Sequence, residues 1–292
     1  MTSQPIFRFA PSPNGWLHLG HAFSALFTDR MARAIGGTML LRIEDIDPTR
    51  SKPEFVAGIF EDLQWLGLSW PEPVWFQSRR LPAYAEAAES LKMRGLLYPC
   101  FCSRSKVVAL AVGMDPEGAP LYPGTCRHLP KDEVEQRLAA GERPQWRLRM
   151  ERAMEAAGPL QIHTFAAAMN GFQPQVNGNS TLSLANPARW GDVVLVRKDT
   201  PTSYHLSVVV DDAAQGVTHV TRGRDLEAAT DVHVLLQKLL GLPSPQYAHH
   251  RLIVDEAEQK LAKSRGSQSL RDLRAAGWTA EDVRRRLGFG PD

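Results

Sequence analysis

The stretch "PIFRFAPSPNGWLHLGHAFSALF", residues 5–27, restricts the fold more than any other part of the chain. Ile6, Phe7 and Phe9 predict a short buried strand, which Pro11 and Pro13 must end because proline donates nothing to a ladder. Asn14-Gly15 turns the chain. Beyond it Leu17, Phe23, Leu26, Phe27 and Met31 share one broad helical face, and Gly36-Gly37 stops the helix. The next segment, "TMLLRIEDID", is an apolar strand that closes on Glu44, Asp45 and Asp47. Strand, helix and strand in this order form a βαβ unit, which implies an α/β fold with a parallel sheet and a right-handed crossover.

The rest of the chain divides around that unit. From about residue 53 the sequence reads as helical, with 3.6-residue spacing in "FEDLQWLGL" and "LPAYAEAAESLKMRGLL", and completes a first half over 1–98. Over 99–192 the character changes. "AVGMDPEGAPLYPGTC" is loop-like, while "RPQWRLRM" and "GDVVLVRKD" read as strands of an irregular insertion. The βα rhythm returns over 193–243 with "YHLSVVVDDAAQG", "VTHVTRG" and the amphipathic "DLEAATDVHVLLQKLLGL". Residues 244–292 hold the polar "RLIVDEAEQKLAKSRG" and two short helical patterns, "LRDLRAAG" and "AEDVRRRLG".

Composition limits the classes of function. A chain of 292 residues has room for about two domains, and 43% hydrophobic with 23% charged residues fits a globular protein, not a disordered one. No apolar run reaches the roughly 20 residues of a membrane span. The N-terminus lacks the basic and apolar regions of a secretory signal, so a cytoplasmic protein without a membrane partner is expected. A net charge of +2, from 34 basic and 32 acidic residues, neither requires nor excludes nucleic acid. An RNA partner would need a local basic face. Three cysteines, an odd number, argue against a disulfide framework and for a reducing compartment.

In an open parallel sheet, ligands sit at the carboxyl ends of the strands, and both "RFAPSPNG" and "RIEDID" fall there. His18 and His21, three apart, belong to a first helical turn whose free N–H groups and dipole attract anions. Two imidazoles at that position can donate to a phosphate as its charge rises in a transition state. Gly20 between them allows a ligand to approach the backbone. Separately, Cys100, Cys102 and Cys126 supply three thiolates across a loop-rich insertion, which suits a structural tetrahedral zinc. By chemistry alone His128, two residues beyond Cys126, is the commoner fourth donor.

"HLGH" behind "PSPNG" resembles the HIGH motif of the class I aminoacyl-tRNA synthetases. "KLAKS", residues 260–264, resembles their KMSKS motif, with Leu261 for the methionine and Ala262 for the first serine. The resemblance implies a Rossmann-like nucleotide-binding fold carrying an inserted zinc-containing subdomain and a short C-terminal helical region. It implies that ATP, with magnesium, contacts His18, Gly20, His21 and Lys263, and that His18, His21, Lys260 and Lys263 stabilise charge at the α-phosphorus. "RFAPSP…RIEDIDPTR" and "SYHLSVVVDDAAQGVTHVTRGRDL" are similar to the glutamate-specific branch. There the similarity implies an L-glutamate site formed by Arg8, Phe9, Ala10, Pro11, Ser12, Glu44, Tyr204 and Arg222. A guanidinium fork suits a carboxylate, and Glu44 would hold the α-ammonium. Asp211 and Asp212 are expected to be structural or to bond a ribose, Asp45 and Asp47 to cap local turns. "CFC…YPGTC" is similar to a zinc site in which Tyr122 completes the shell of Cys100, Cys102 and Cys126.

Fewer than thirty residues follow "KLAKS", too few for the large helical region with which glutamate–tRNA ligases read the anticodon. This short form is similar to paralogues that activate glutamate without tRNA and esterify it to queuosine in the anticodon of tRNA(Asp). The expected partners are therefore L-glutamate, ATP and queuosine-bearing tRNA(Asp), and the expected state is a monomer. Arg222, Arg224, Arg251 and Arg265 are candidates for phosphate contacts. The alternative is a glutamate–tRNA ligase acting on the tRNA 3′ acceptor end.

Overall fold

A computed structural model of the chain describes residues 4–253 and 268–290, the side chains of 177–179 excepted. Strand β1 (Ile6–Phe9), helix α1 (Leu19–Ala34) and strand β2 (Thr38–Ile43) form the expected βαβ unit, with Ile6 opposite Thr38 and Phe9 opposite Leu41 in parallel register. Helix α2 (Pro53–Trp65) leads to β3 (Trp75–Phe76), which pairs in parallel with β2. Helix α3 (Leu81–Met93) and strand β4 (Leu97–Cys100) then enter a separate region with α4 (Arg104–Ala109), α5 (Lys131–Ala139) and β5 (Gln145–Leu148). Next come α6 (Met150–Ala157), a hairpin of β6 (Gln161–Asn170) and β7 (Gln173–Leu184), and β8 (Val194–Val196), which pairs antiparallel with β5 as β4 does. Helix α7 (Tyr204–Ala214), β9 (His219–Gly223), α8 (Thr230–Leu240) and β10 (Gln246–His250) return to the parallel layer. Helices α9 (Leu270–Ala275) and α10 (Ala280–Leu287) follow.

The parallel layer has a reversal of strand order that decides where a ligand can sit. Thr218 joins β9 to the outer edge of β1: its N–H donates to Ile6 O at 2.9 Å, and its hydroxyl accepts from Ile6 N–H at 2.8 Å. The order is therefore β3-β2-β1-β9-β10, with the chain leaving β1 in one direction and returning on its other side. A crevice opens outside the carboxyl ends of β1 and β9 at such a point. Gly37 makes the βαβ unit this tight, since a Cβ there would stand 2.7 Å from Pro5 O. Phe7, Leu26, Met31, Leu41, Ile59 and Leu63 bury almost completely around α1 and α2, joined by Leu270 and Val283 from the C-terminal helices and by Phe289 just beyond them. Burial of each such side chain contributes about 1.5–3 kcal/mol, so the last helices are packed into the body that holds the crevice.

Two segments differ from the sequence expectation. The helical run expected from residue 53 is interrupted by β3, whose two residues are too few to show any period. β6 and β7, ten and twelve residues long, fall inside the stretch read as irregular, and Thr164 of β6 pairs in parallel with Tyr247 of β10. Their small and polar residues, such as the Ala166–Ala168 run, blur the alternation that marks a half-buried strand. Within the expected βα rhythm, "YHLSVVVDDAA" is a helix, because packing on α3 and α8 outweighs the strand preference of Val208–Val210. No helix among the described residues is long and apolar enough to cross a membrane.

Candidate active site

A cavity of about 640 Å³ occupies the crevice, within the size range of small-molecule sites. Its walls include Arg8, Phe9, Ala10, Pro11, Ser12, His18, Gly20, His21, Glu44, Tyr204 and Arg222, so residues from five elements or their flanks meet in one space.

At one end lies the start of α1. His18 is its N-cap: Nδ1 accepts from Gly20 N–H at 3.1 Å, and His21 Nδ1 accepts from His18 N–H at 3.2 Å. The two rings sit 3.9 Å apart between centroids. A neutral imidazole whose Nδ1 accepts must carry its proton on Nε2. Capping therefore fixes both tautomers and leaves Nε2–H as the donor. Gly20 is required by the same geometry, because a Cβ would meet His18 Cε1 at 2.9 Å. Ser269 bridges His18 and Leu270 N–H donates to Leu17 O at 2.8 Å, while Arg251, Leu252 and Ile253 line the cavity. The chain thus leaves the described structure at the cavity rim and rejoins it beside His18. Lys260, Lys263 and Arg265 lie outside the described residues.

The other end is built from buried charges. Arg8 Nε donates to both carboxylate oxygens of Asp212, at 3.2 and 3.3 Å. Arg42, fully buried, pairs with Asp212 at 2.8 Å and Glu44 at 3.3 Å, and donates to Gln215 at 2.8 Å. Asp211 sits behind them, accepting from Arg80 at 2.6 Å, Tyr84 at 2.7 Å and Gln77 at 3.2 Å. Neither aspartate lines the cavity, so of the two expected roles the structural one fits the geometry and the ribose contact does not. Burial raises the Glu44 carboxyl above its usual value, opposed by the charges of Arg42 and Arg8. Asp45 also departs from expectation: it accepts from Ser78 N–H and hydroxyl at 2.8 and 2.6 Å and fastens the end of β2 to the turn after β3. Asp47 caps its own turn as expected, through Thr49 and Arg50.

Arg222, on β9, reaches the same end with different company. Nη1 donates to His233 Nδ1 at 3.0 Å and lies 3.5 Å from the Tyr204 hydroxyl; Nη2 donates to Thr230 Oγ1 at 2.6 Å, and Nε to His249 Nε2 at 3.3 Å. Its relative exposure is 4%. Burial, then the Arg222 charge, pushes His205 down to about 4 and His249 to about 3, and holds His233 well below its ordinary value.

Sequence reading missed several wall residues. His250 donates from Nδ1 to Arg251 O at 2.9 Å and accepts at Nε2 from Ser24 at 3.1 Å, while Thr221 shares a 2.7 Å hydroxyl contact with Thr28. Thr221 lies within "VTHVTRG" without any chemistry that singles it out, His250 lies in no motif, and only the return of β9 and β10 beside β1 brings them in. Among the phosphate-contact candidates Arg222 and Arg251 line the cavity, whereas Arg224 does not.

The three cysteines form a second cluster, away from the cavity. All are buried, and their Sγ atoms lie within 4.8 Å of one another. A tetrahedral zinc with bonds of about 2.3 Å sets its sulfurs about 3.8 Å apart, and Cys102 and Cys126 already stand at 3.6 Å. The Tyr122 hydroxyl is 3.3 Å from Cys100 Sγ and 3.8 Å from Cys102 Sγ, whereas His128 is exposed and outside the group. Burial raises the Cys100 thiol, but hydrogen bonds from Tyr122, Gln145 and Arg147 outweigh it and leave it lowered, at about 7. The donor set fits a zinc ion.

Residues 6–289 match the family described as tRNA synthetases class I (E and Q), catalytic domain. The chain belongs to this family. Among curated class I relatives, the Glutamyl-Q tRNA(Asp) synthetase of Rhodobacter capsulatus is 48% identical over 290 residues, covering 97% of this chain and all of the relative. The protein of the same name from Symbiobacterium thermophilum is 40% identical, covering 97% of this chain and 85% of that one. Glutamate–tRNA ligase 1 of Caldanaerobacter subterraneus is 35% identical over 97% of this chain but only 56% of its own length. The crystal structure of a glutamate tRNA ligase from Elizabethkingia meningosepticum, in complex with its amino acid, matches with a TM-score of 0.67 and 26% identity, over 94% of this chain. This chain spans about half of that structure's length, 54%.

Proposed function

We propose that the protein activates L-glutamate with ATP, without needing tRNA, and transfers the glutamyl group to queuosine in the anticodon of tRNA(Asp). The observation that carries this reading is the single cavity walled at one end by imidazole donors on a positive helix terminus and at the other by Arg8, Arg222 and Glu44. Full-length similarity to the Rhodobacter relative supports the choice of acceptor. In the first step the glutamate α-carboxylate attacks the α-phosphorus of ATP, the bond to the bridging oxygen breaks, and pyrophosphate leaves. His18 and His21 donate from Nε2 to the phosphate as charge accumulates, and Lys260 and Lys263 act on the same triphosphate. Magnesium, arriving with the nucleotide, offsets the charge of the phosphates.

Glutamate is held by its two ends. Arg8 and Arg222 take the side-chain carboxylate with the Tyr204 hydroxyl, Glu44 and Ser12 take the α-ammonium, and the backbone of Phe9, Ala10 and Pro11 forms the floor. In the second step a hydroxyl of the queuosine cyclopentene-diol attacks the activated carbonyl, its proton is lost, and AMP leaves. Holding that hydroxyl beside the anhydride is the main contribution the protein can make to this step.

The reading assigns nucleotide and glutamate binding to 1–98 and 193–243, the zinc-type insertion to 99–192, and the KMSKS-like motif with its helical support to 244–292. Zinc, held by Cys100, Cys102, Tyr122 and Cys126, would brace the insertion. The reading is of a monomer in the cytoplasm, where three cysteines outside any disulfide suit a reducing compartment. A second reading, transfer to the tRNA 3′ acceptor end, is supported by relatives that are glutamate–tRNA ligases. Labelled glutamate, ATP and queuosine-containing tRNA(Asp) whose 3′ end has been trimmed separate the two. Retained label is expected; label that appears only on intact tRNA decides for the acceptor end.

A further inference from the structure

Two arginines reach the acid end of the cavity, and they differ in what holds them. Arg8 is paired with the Asp212 carboxylate at 3.2 Å. Arg222 is equally buried, yet its side-chain partners are a tyrosine, a threonine and two imidazoles. Among the described residues no carboxylate pairs with it. The partners' chemistry is fixed by direction. A guanidinium only donates, so His233 Nδ1 and His249 Nε2 must accept and be unprotonated. His233 then carries its proton on Nε2, 3.3 Å from His205 Nδ1, and passes its own hydrogen bond to that ring.

We propose that His233 and His249 are positioning residues that fix the Arg222 fork with neutral acceptors, so that its full charge remains for the side-chain carboxylate of the amino acid. The inference rests on the glutamate reading and adds to it the source of acid selectivity. An aspartate at either position would orient the guanidinium just as well, but it would supply the anion that the substrate must otherwise bring. Burial of the imidazoles favours their neutral form, consistent with this role.

The test compares side chains of one shape and two charges: His233→Asn with His233→Asp, and His249→Asn with His249→Asp. Glutamate affinity is read by calorimetry and by glutamate-dependent ATP–pyrophosphate exchange, with the KM for ATP as internal control. The Asn variants are expected within about threefold of the parent, and the Asp variants to raise the glutamate KM about tenfold or more with the ATP KM unchanged. Without substrate, each Asp variant should melt above its Asn counterpart, because the buried cation gains a partner. A folded Asp variant that binds glutamate as tightly as its Asn counterpart overturns the proposal. If one pair does not fold, the other makes the same comparison from the opposite edge of the guanidinium. Absence of glutamate-dependent exchange in the parent protein would overturn the functional reading itself, and this inference with it.

Discussion

The two ends of the cavity are held by different kinds of contact. At the imidazole end, His18, Gly20 and His21 cap the helix they begin, through bonds that span two or three residues. At the acid end, Arg8 and Asp212 are 204 residues apart, and Arg42 and Gln215 are 173 apart. The first arrangement forms wherever its helix forms. The second exists only when β1, β2 and α7 are packed together, so damage to it should reach folding and binding alike, while damage to the first should separate the two.

The largest effect expected is at the acid end. Asp212→Asn leaves Arg8 and Arg42 sharing too little negative charge in a dry site, and breaking a buried pair from one side costs about 3–5 kcal/mol. Urea unfolding should show that loss, and glutamate-dependent exchange should fall about a hundredfold or more in parallel; intact stability would mean the network is not the support it is described to be. At the other end His21→Asn keeps a side-chain acceptor for the His18 N–H but removes the Nε2–H donor. Exchange should drop about a hundredfold with stability changed by no more than about 1 kcal/mol. Parallel losses in both would erase the contrast between the ends.

Acid sensitivity gives a third comparison. His205 and His249 titrate at about 4 and about 3 in the folded chain, against an ordinary 6.5, because burial and then the Arg222 charge disfavour the imidazolium. Between those values and 6.5 the unfolded chain binds more protons, so this stability is complete above pH 6.5 and is lost as pH falls through the window. Each histidine contributes a slope of about 1.4 kcal/mol per pH unit. His205→Asn should flatten the urea-measured pH dependence by one such contribution, and an unchanged slope would show that this ring is not held neutral. The smallest effect belongs to Gly20→Ala. The new methyl turns the His18 ring aside, while alanine's helix preference of up to about 1 kcal/mol offsets the weakened cap. Melting should hold steady as exchange falls about tenfold.

Much of this was legible because it is local. The proline break, the Asn14-Gly15 turn, and the imidazole pair on a first helical turn all lie within residues 8–21, and the structure keeps them there. Cys100, Cys102 and Cys126 were legible as a donor set by residue type alone. Arg42 was not. It stands inside an apolar strand that reads as core, and although Glu44 two residues on shares its face, nothing in "TMLLRIEDID" says that its charge is also met by Asp212. His233 and His249 were hidden in the same way, on an amphipathic helix and a strand whose contact with Arg222 depends on the strand order. The β6–β7 hairpin stayed hidden because its small and polar residues carry little pattern.

The sequence by itself determined the βαβ start, the helix terminus with its two imidazoles, and the residue types offered to a nucleotide, an acid and a metal. Those depend on backbone sterics, on period and on short-range capping, which neighbouring residues settle among themselves. Tertiary structure alone decided which arginine is neutralised and which keeps its charge. That outcome depends on desolvation and on carboxylates far away in the chain, and a buried charge acquires its meaning only when the fold has chosen what surrounds it.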